Sequence, residues 1–141
     1  MENYSVRIVS WDEAALFLRT VREAVFINEQ GVPKELEWDG LDSHCCHCLA
    51  VSEEGEAIGC GRMTLDAHIG RMAVLRAWRG RKVGTAILEV LLEEARKRSY
   101  PEVELSAQIH AVPFYRRFNF EEEGDVYLDA GIPHRKMRLR F

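Results

Sequence analysis

The densest chemistry in the sequence lies in Ile69-Gly-Arg-Met-Ala-Val-Leu-Arg-Ala-Trp-Arg-Gly-Arg-Lys-Val-Gly-Thr-Ala-Ile-Leu88. An apolar, strand-like segment enters a glycine-containing basic loop, and the loop opens a helix. No acid occurs between Asp66 and Glu89, whereas Arg71, Arg76, Arg79, Arg81 and Lys82 all fall there, in a chain of formal net charge −4. The first backbone N–H groups of a helix lack intrahelical partners and carry the positive end of its dipole, so the junction suits a phosphate or pyrophosphate. Gly80 and Gly84 let a ligand approach the backbone. The spacing fits neither the P-loop, which ends in Gly-Lys-Ser/Thr, nor the three-glycine dinucleotide fingerprint. A solvated basic turn ahead of an amphipathic helix is the competing reading.

Two further clusters stand out. Residues 28–45 carry Glu29, Glu35, Glu37, Asp39 and Asp42 around Trp38 without helical or strand periodicity, which predicts a mostly irregular acidic loop. Such a loop would favour a cationic ligand or simply be solvated, and Trp38 would stack on a ligand or anchor the loop. His44-Cys45-Cys46-His47-Cys48 offers five zinc-capable side chains. They run into a strand that throws alternate residues to opposite faces, and no distant second pair completes a site. No metal is expected, and buried cysteines with a strand-edge histidine account for the cluster.

The surrounding elements alternate in type. Val6 to Val9 reads as a strand, and Ser10 with Glu13 forms a capping-box signature. The helix it opens carries Ala14, Phe17, Leu18, Val21, Ala24 and Val25 at helical spacing, predicting one buried stripe. Strands follow at Cys48 to Val51, Ala57 to Leu65 and Ile69 to Leu75, a meander of neighbours. A long helix begins after Gly80 with Val83, Ala86, Ile87, Val90, Leu91 and Ala95 on one face, and ends before Pro101. Val103 to Ala107 is a strand, Pro113 to Phe118 a short helix, and Phe120 to Phe141 two strands joined through Asp129-Ala-Gly-Ile-Pro133. This order predicts one mixed α/β domain over residues 1–141.

Composition narrows the classes. Of 141 residues 47% are hydrophobic and 30% charged, as in an ordinary globular domain. With 19 Lys plus Arg against 23 Asp plus Glu, the overall field suits neither nucleic acid nor an anionic membrane. Any anion must be bound locally. The start Met1-Glu2-Asn3-Tyr4 shows no signal-peptide pattern, and the longest apolar run is Ala14 to Leu18, so a cytoplasmic location is expected, with Cys45, Cys46, Cys48 and Cys60 reduced.

Arg79-Gly-Arg-Lys-Val-Gly84, after a strand ending Met72-Ala-Val-Leu, resembles the acetyl-CoA loop of the GNAT N-acetyltransferase superfamily, usually Arg/Gln-x-x-Gly-x-Gly/Ala. Ala107-Gln-Ile-His-Ala-Val-Pro-Phe-Tyr-Arg-Arg-Phe-Asn-Phe120 is similar to the superfamily's second motif. Val25-Phe-Ile-Asn-Glu-Gln-Gly-Val-Pro33 with Glu37-Trp-Asp39, and Leu128-Asp-Ala-Gly-Ile-Pro-His134, resemble the ElaA-like bacterial branch. The match covers essentially the whole chain. One departure is Lys82, where the pattern usually has its middle glycine. A lysine there can donate its backbone N–H if its φ is negative, and its side chain adds charge.

The resemblance implies an α+β fold: a mixed, mostly antiparallel six- to seven-stranded sheet with helices on both faces and central splayed strands. It implies acetyl-CoA as substrate, held by Met72, Ala73, Val74, Arg79, Gly80, Arg81, Lys82, Val83, Gly84, Thr85, Gln108, Phe114 and Tyr115. Backbone at Met72 and Val74 would pair with the pantetheine arm, and the Met72 N–H would act as an oxyanion donor. Tyr115 matches the superfamily's general acid, giving a proton to the departing thiolate. An amine acceptor must itself lose a proton, and His68, Glu29 and Glu37 are base candidates, directly or through water.

The leading expectation is therefore acetyl transfer to a small, cationic amine by direct attack in a ternary complex. A homodimer is compatible with it. The alternatives are a longer-chain acyltransferase of the acyl-homoserine lactone synthase type, a coenzyme A-binding sensor without turnover, and an RNA-binding role, against which the lack of interleaved aromatics counts. A phosphorylated acceptor would move the pocket toward Arg116, Arg117, His134 and Arg135.

Overall fold

The computed structural model describes residues 3–141. Strand β1 (Tyr4–Val9) leads into helix α1 (Trp11–Arg22), and the Ser10–Glu13 capping box forms in full. The helix continues as a π-helical segment, Glu23–Glu29. Its buried stripe is Ala14, Leu18, Val21 and Val25, joined by Arg22. Phe17, expected within that stripe, is 46% exposed. Buried residues at 14, 18, 21, 22 and 25 centre the stripe about one position away from Phe17.

The acidic segment is less irregular than expected. It contains a single helical turn, α2 (Lys34–Glu37), and a 3-10 turn, Asp42–His44. Strands β2 (Cys46–Ser52), β3 (Ala57–Met63) and β4 (His68–Val74) form the expected meander. Helix α3 (Val83–Lys97), β5 (Glu102–Gln108), a 3-10 turn at Ile109–Ala111, helix α4 (Val112–Arg116), β6 (Glu121–Asp129) and β7 (Ile132–Arg140) complete the order.

The seven strands form one sheet in the order β1-β2-β3-β4-β5-β7-β6. All neighbours are antiparallel except β4 and β5. Those two pair at His68↔Glu104 and Ile69↔Leu105 and then part, while β5 stays paired with β7 out to Gln108↔His134. The parting is reinforced by a bulge. Cys60 opposes Ala73 but Arg62 opposes Gly70, so β4 carries one residue more than β3. Arg71 absorbs it with a φ of +51°.

One core lies under α3, with Ile87, Leu88 and Leu91 against Ile58, Met63 and Ile69. The other lies under α1, with Leu18, Val21 and Val25 against Leu49, Cys60 and Ala73. Helix α3 comes close because β3 presents glycines to it. A Cβ on Gly59 would lie 2.9 Å from Ile87 Cδ1, and one on Gly61 2.7 Å from Met72 Sδ and 2.9 Å from both Ile87 Cγ2 and Leu91 Cδ1. Among the described residues no helix is long and apolar enough to cross a membrane.

Candidate functional site

Where β4 leaves β5 a cavity of about 870 Å³ opens, a size that fits a small ligand or part of a larger one. Met72, Ala73 and Val74 form one wall, Gly84 with Phe114 and Tyr115 a second, and Ser106, Gln108 and His134 a third. The strand, loop and short helix singled out in the sequence thus meet around one space.

The loop entering α3 is built as an anion cradle. Gly80 has φ +80° and Lys82, at the helix N-cap, φ +64°. A negative φ was the condition for the Lys82 N–H to serve there; the backbone instead keeps a glycine-like conformation, a left-handed state that costs an L-residue about 1 to 2 kcal/mol. No side chain caps α3 and no acid occupies its first turn. The first helical bond of this end runs from Ala86 N–H to the Lys82 carbonyl. The N–H groups of Val83, Gly84 and Thr85 precede it and point off the helix end. Val83's side chain is buried in the core, so only its backbone can serve a ligand. Arg81 stacks over Trp78 at 4.7 Å. A Cβ on Gly84 would meet Phe114 and Val74 at ordinary contact distance, so that glycine is not sterically demanded by the protein alone.

Arg79 donates two hydrogen bonds of 2.7 Å to Glu29, and Arg76 approaches the same carboxylate at 3.3 Å. The Arg79 bonds hold the Glu29 carboxyl at about 2, and a carboxylate so held is a weak proton acceptor. Gln30, its neighbour, forms a reciprocal amide pair with Gln108, with Gln108 Nε2 donating to Gln30 Oε1 at 2.9 Å and the return bond at 3.4 Å. This pair spans the cavity from the α1 side to the end of β5.

Tyr115 lines the cavity, its ring against Phe114 and Phe120. Burial pushes its phenol well above the usual tyrosine range. The hydroxyl therefore stays protonated, and because a thiol titrates near ~8.5, full transfer to a thiolate is uphill. A phenol in this position acts best by donating a hydrogen bond as charge develops on sulfur. His68 also faces the cavity, with Nδ1 3.6 Å from Glu104, a carboxylate shared with Lys136 at 3.3 Å and Arg138 at 3.1 Å.

Of the acidic segment's carboxylates, Glu37, Asp39 and Asp42 are not free, whereas Glu35 is exposed. Arg22, 1% exposed, donates to Glu37 Oε2 and Asp42 Oδ1, each at 2.7 Å, and to the Glu37 carbonyl at 3.1 Å. Arg62 binds Asp39 at 2.8 Å and Asp42 at 3.1 Å, and Arg71 reaches the Glu37 carbonyl at 3.0 Å. Burial alone would raise Asp39 and Asp42; the arginines overcome it, holding Asp39 at about 2 and lowering Asp42 as well. Three guanidiniums thus offset three carboxylates. Trp38 covers the Arg22 guanidinium at 4.8 Å and so anchors the segment. His47 is buried with Nε2 2.8 Å from the Asp42 carbonyl, and Cys48 and Cys60 are buried thiols.

Sequence reasoning missed Arg71's double part, as bulge and as tether, and the face formed by Ser106, Tyr127 and His134. The Ser106 and Tyr127 hydroxyls are hydrogen-bonded, and the Tyr127 ring stacks on His134. The signal was the Leu128 to His134 segment, read as part of a resemblance, with His134 placed only in the alternative pocket for a phosphorylated acceptor.

Comparison with known proteins agrees with this architecture. Residues 12–141 match the family model described as an acetyltransferase (GNAT) domain. The uncharacterized N-acetyltransferase YjcF of Bacillus subtilis is 36% identical over 83% of this chain and 86% of its own. The crystal structure of Escherichia coli ElaA superposes with a TM-score of 0.84 at 30% identity, covering 95% of this chain and 98% of that one. Arabidopsis thaliana Naa50, solved with the bisubstrate analogue CoA-Ac-MVNAL, shares the fold at a TM-score of 0.75 and 19% identity over 99% of this chain and 100% of that one. With its splayed β4 and β5, its basic loop opening α3 and this kinship, the chain belongs to the GNAT acetyltransferase family, in the ElaA-like branch.

Proposed function

We propose that this protein moves the acetyl group of acetyl-CoA to the primary amine of a small, cationic acceptor by direct attack in a ternary complex. The observation that carries the reading is the meeting of Met72, Gly84 and Tyr115 around one cavity at the mouth of the splayed strands. Naa50's capture of a coenzyme A bisubstrate analogue in the same fold supports it.

The residues present fit such a substrate. The uncapped start of α3, with Arg79, Arg81 and Lys82 beside it, would hold the pyrophosphate. The open edge of β4 at Met72 and Val74 would pair with the pantetheine amides, and the Met72 N–H would polarise the thioester carbonyl. Tyr115 would hydrogen-bond the departing sulfur. Among the described residues no cysteine lines this cavity, so no acyl-enzyme is needed.

The preference for a cationic amine rests on Asp66 and Asp129. Both line the cavity and neither has an arginine partner among the described residues. Because Glu37 and Asp39 are neutralised by arginines, that preference is modest. The test is a screen of primary amines with acetyl-CoA, read by mass spectrometry and thiol release. Acetylated product from polyamine-like or basic amino compounds, and not from phosphorylated amines, is the expected result. Coenzyme A binding without product from any amine would replace the enzyme reading with that of a sensor.

A further inference from the structure

We propose that His134 is the proton acceptor for the attacking amine, a role that rests on the acetyltransferase reading above. On β4 and β5 His68 is level with Glu104. Carrying that register three or four residues further along both strands, with one residue consumed by the bulge at Arg71, would bring Met72 level with Ala107 and Gln108. Gln108 pairs directly with His134 on β7, and cross-strand partners project from the same face. His134 therefore stands across the splay from the Met72 N–H. His68 lies about 10 Å further back along β4, at ~3.3 Å per residue, where the two strands are still joined.

The ring is prepared for the task. His134 Nδ1 lies 2.6 Å from the Ile132 carbonyl oxygen. A carbonyl can only accept, so Nδ1 carries the hydrogen, and the neutral ring has its lone pair on Nε2. Nε2 makes no hydrogen bond among the described residues, yet it is not among the side-chain atoms sealed from solvent without a partner. The residue is 8% exposed and lines the cavity, and Nε2, turned away from the Ile132 contact, is the ring nitrogen available to it. Tyr127 from β6 stacks on the ring with centroids 6.1 Å apart, itself fixed by Ser106 of β5. The other titratable groups lining this end are His110, after β5, and Asp129, at the end of β6. No carboxylate lies within ion-pairing distance of the ring among the described residues.

The step balances as follows. An ammonium N–H proton passes to His134 Nε2, and the freed lone pair forms the N–C bond at the thioester carbonyl. The C–S bond then breaks, its electron pair leaves on sulfur, and the thiolate departs hydrogen-bonded to Tyr115 and is protonated by solvent. The acylated nitrogen, still carrying two hydrogens, gives its second proton to water as the C–S bond breaks, and His134 returns the first to water, so the amine loses two protons and the thiolate gains one.

The test compares wild type with H134N, in which the amide nitrogen takes the place of Nδ1 and keeps the Ile132 contact while the accepting nitrogen is lost. Expected are a fall in kcat of about a hundredfold or more, loss of the acidic limb of the pH–rate profile, and unchanged coenzyme A affinity by calorimetry. Histidine nitrogen NMR on wild type should show the Nδ1–H tautomer for His134 at high pH. Wild-type kcat with an intact acidic limb in H134N, or an Nε2–H tautomer, overturns the assignment while leaving the acetyltransferase reading in place. A wild type that acetylates no amine fails both.

Discussion

The two glycines of β3 set how near α3 comes to the strand that carries the reaction, and Gly61→Ala probes this directly. The added methyl would meet Met72 Sδ at 2.7 Å and Ile87 Cγ2 and Leu91 Cδ1 at 2.9 Å. Met72 can swing its sulfur, but the Ile87 γ-methyl sits on a β-branched side chain of a buried helix, and no single shift relieves contacts from two elements. Overpacking of this kind costs about 1 to 3 kcal/mol. For a domain of this length 1 kcal/mol moves Tm by roughly 3 to 5 °C, so a fall of about 3 to 15 °C is expected. The substitution should also lower kcat with a good amine, because α3 and Met72 are pushed apart where the cofactor loop and the β4 edge must converge. Gly70→Ala is the control: on the neighbouring strand its Cβ would meet only His68 Cδ2, at 4.0 Å, and its stability should change by less than about 0.5 kcal/mol. Scanning calorimetry with steady-state kinetics reads both. If Gly61→Ala melts and turns over as wild type does, the close approach of α3 is not what these glycines secure.

Tyr115→Phe keeps the ring packed and should bind coenzyme A normally while turnover falls by about one to three decades; wild-type turnover would make Tyr115 purely structural. Glu29→Gln weakens the pair that occupies Arg79, so acetyl-CoA should bind more tightly by up to about fivefold in calorimetry, the span of an exposed ion pair; weaker binding would remove Arg79 from the phosphate site. Arg22→Met leaves three buried or half-buried carboxylates to two guanidiniums and should cost about 3 to 5 kcal/mol in urea unfolding, with a loss below 1 kcal/mol refuting the network's structural role. The carboxyls of Glu29 and Asp39 titrate at about 2 in the fold and at ~4 in an unfolded chain, so their contribution is complete above ~5.5 and disappears as pH falls toward 2. A urea midpoint that does not fall between pH 5 and 3 would contradict those pairings.

The helices and strands were legible because their signals are local. Ser10 and Glu13 cap each other, and the apolar stripe from Val83 to Ala95 follows one helical period. The cofactor junction was legible for the same reason: strand, glycine, basic residues and helix start are contiguous. What escaped depended on distant partners. Glu37, Asp39 and Asp42 read as an open acidic surface because Arg22, Arg62 and Arg71 are up to 34 residues away in sequence. The positive φ of Lys82 was not legible because a loop tied at both ends can force a lysine into the left-handed conformation a glycine would adopt. The role of His134 needs the β5 to β7 register, which no window of the sequence contains.

The pairing of β4 with β5 at His68 and Ile69 alone makes the sheet two panels joined by a short seam. One panel is β1 to β4, braced by both long helices; the other is β5, β7 and β6, which α4 and the Gln30–Gln108 amide pair help to tie across the gap. A molecule laid along β4 in that gap would act as a guest strand, stitching backbone groups that the seam leaves open. Binding and the rigidity of the sheet then share the same hydrogen bonds, so the amides of β5 and the far end of β4 should exchange more slowly with solvent when the gap is filled. The panels would stiffen together, and the angle between them would become a property of the complex as much as of the chain.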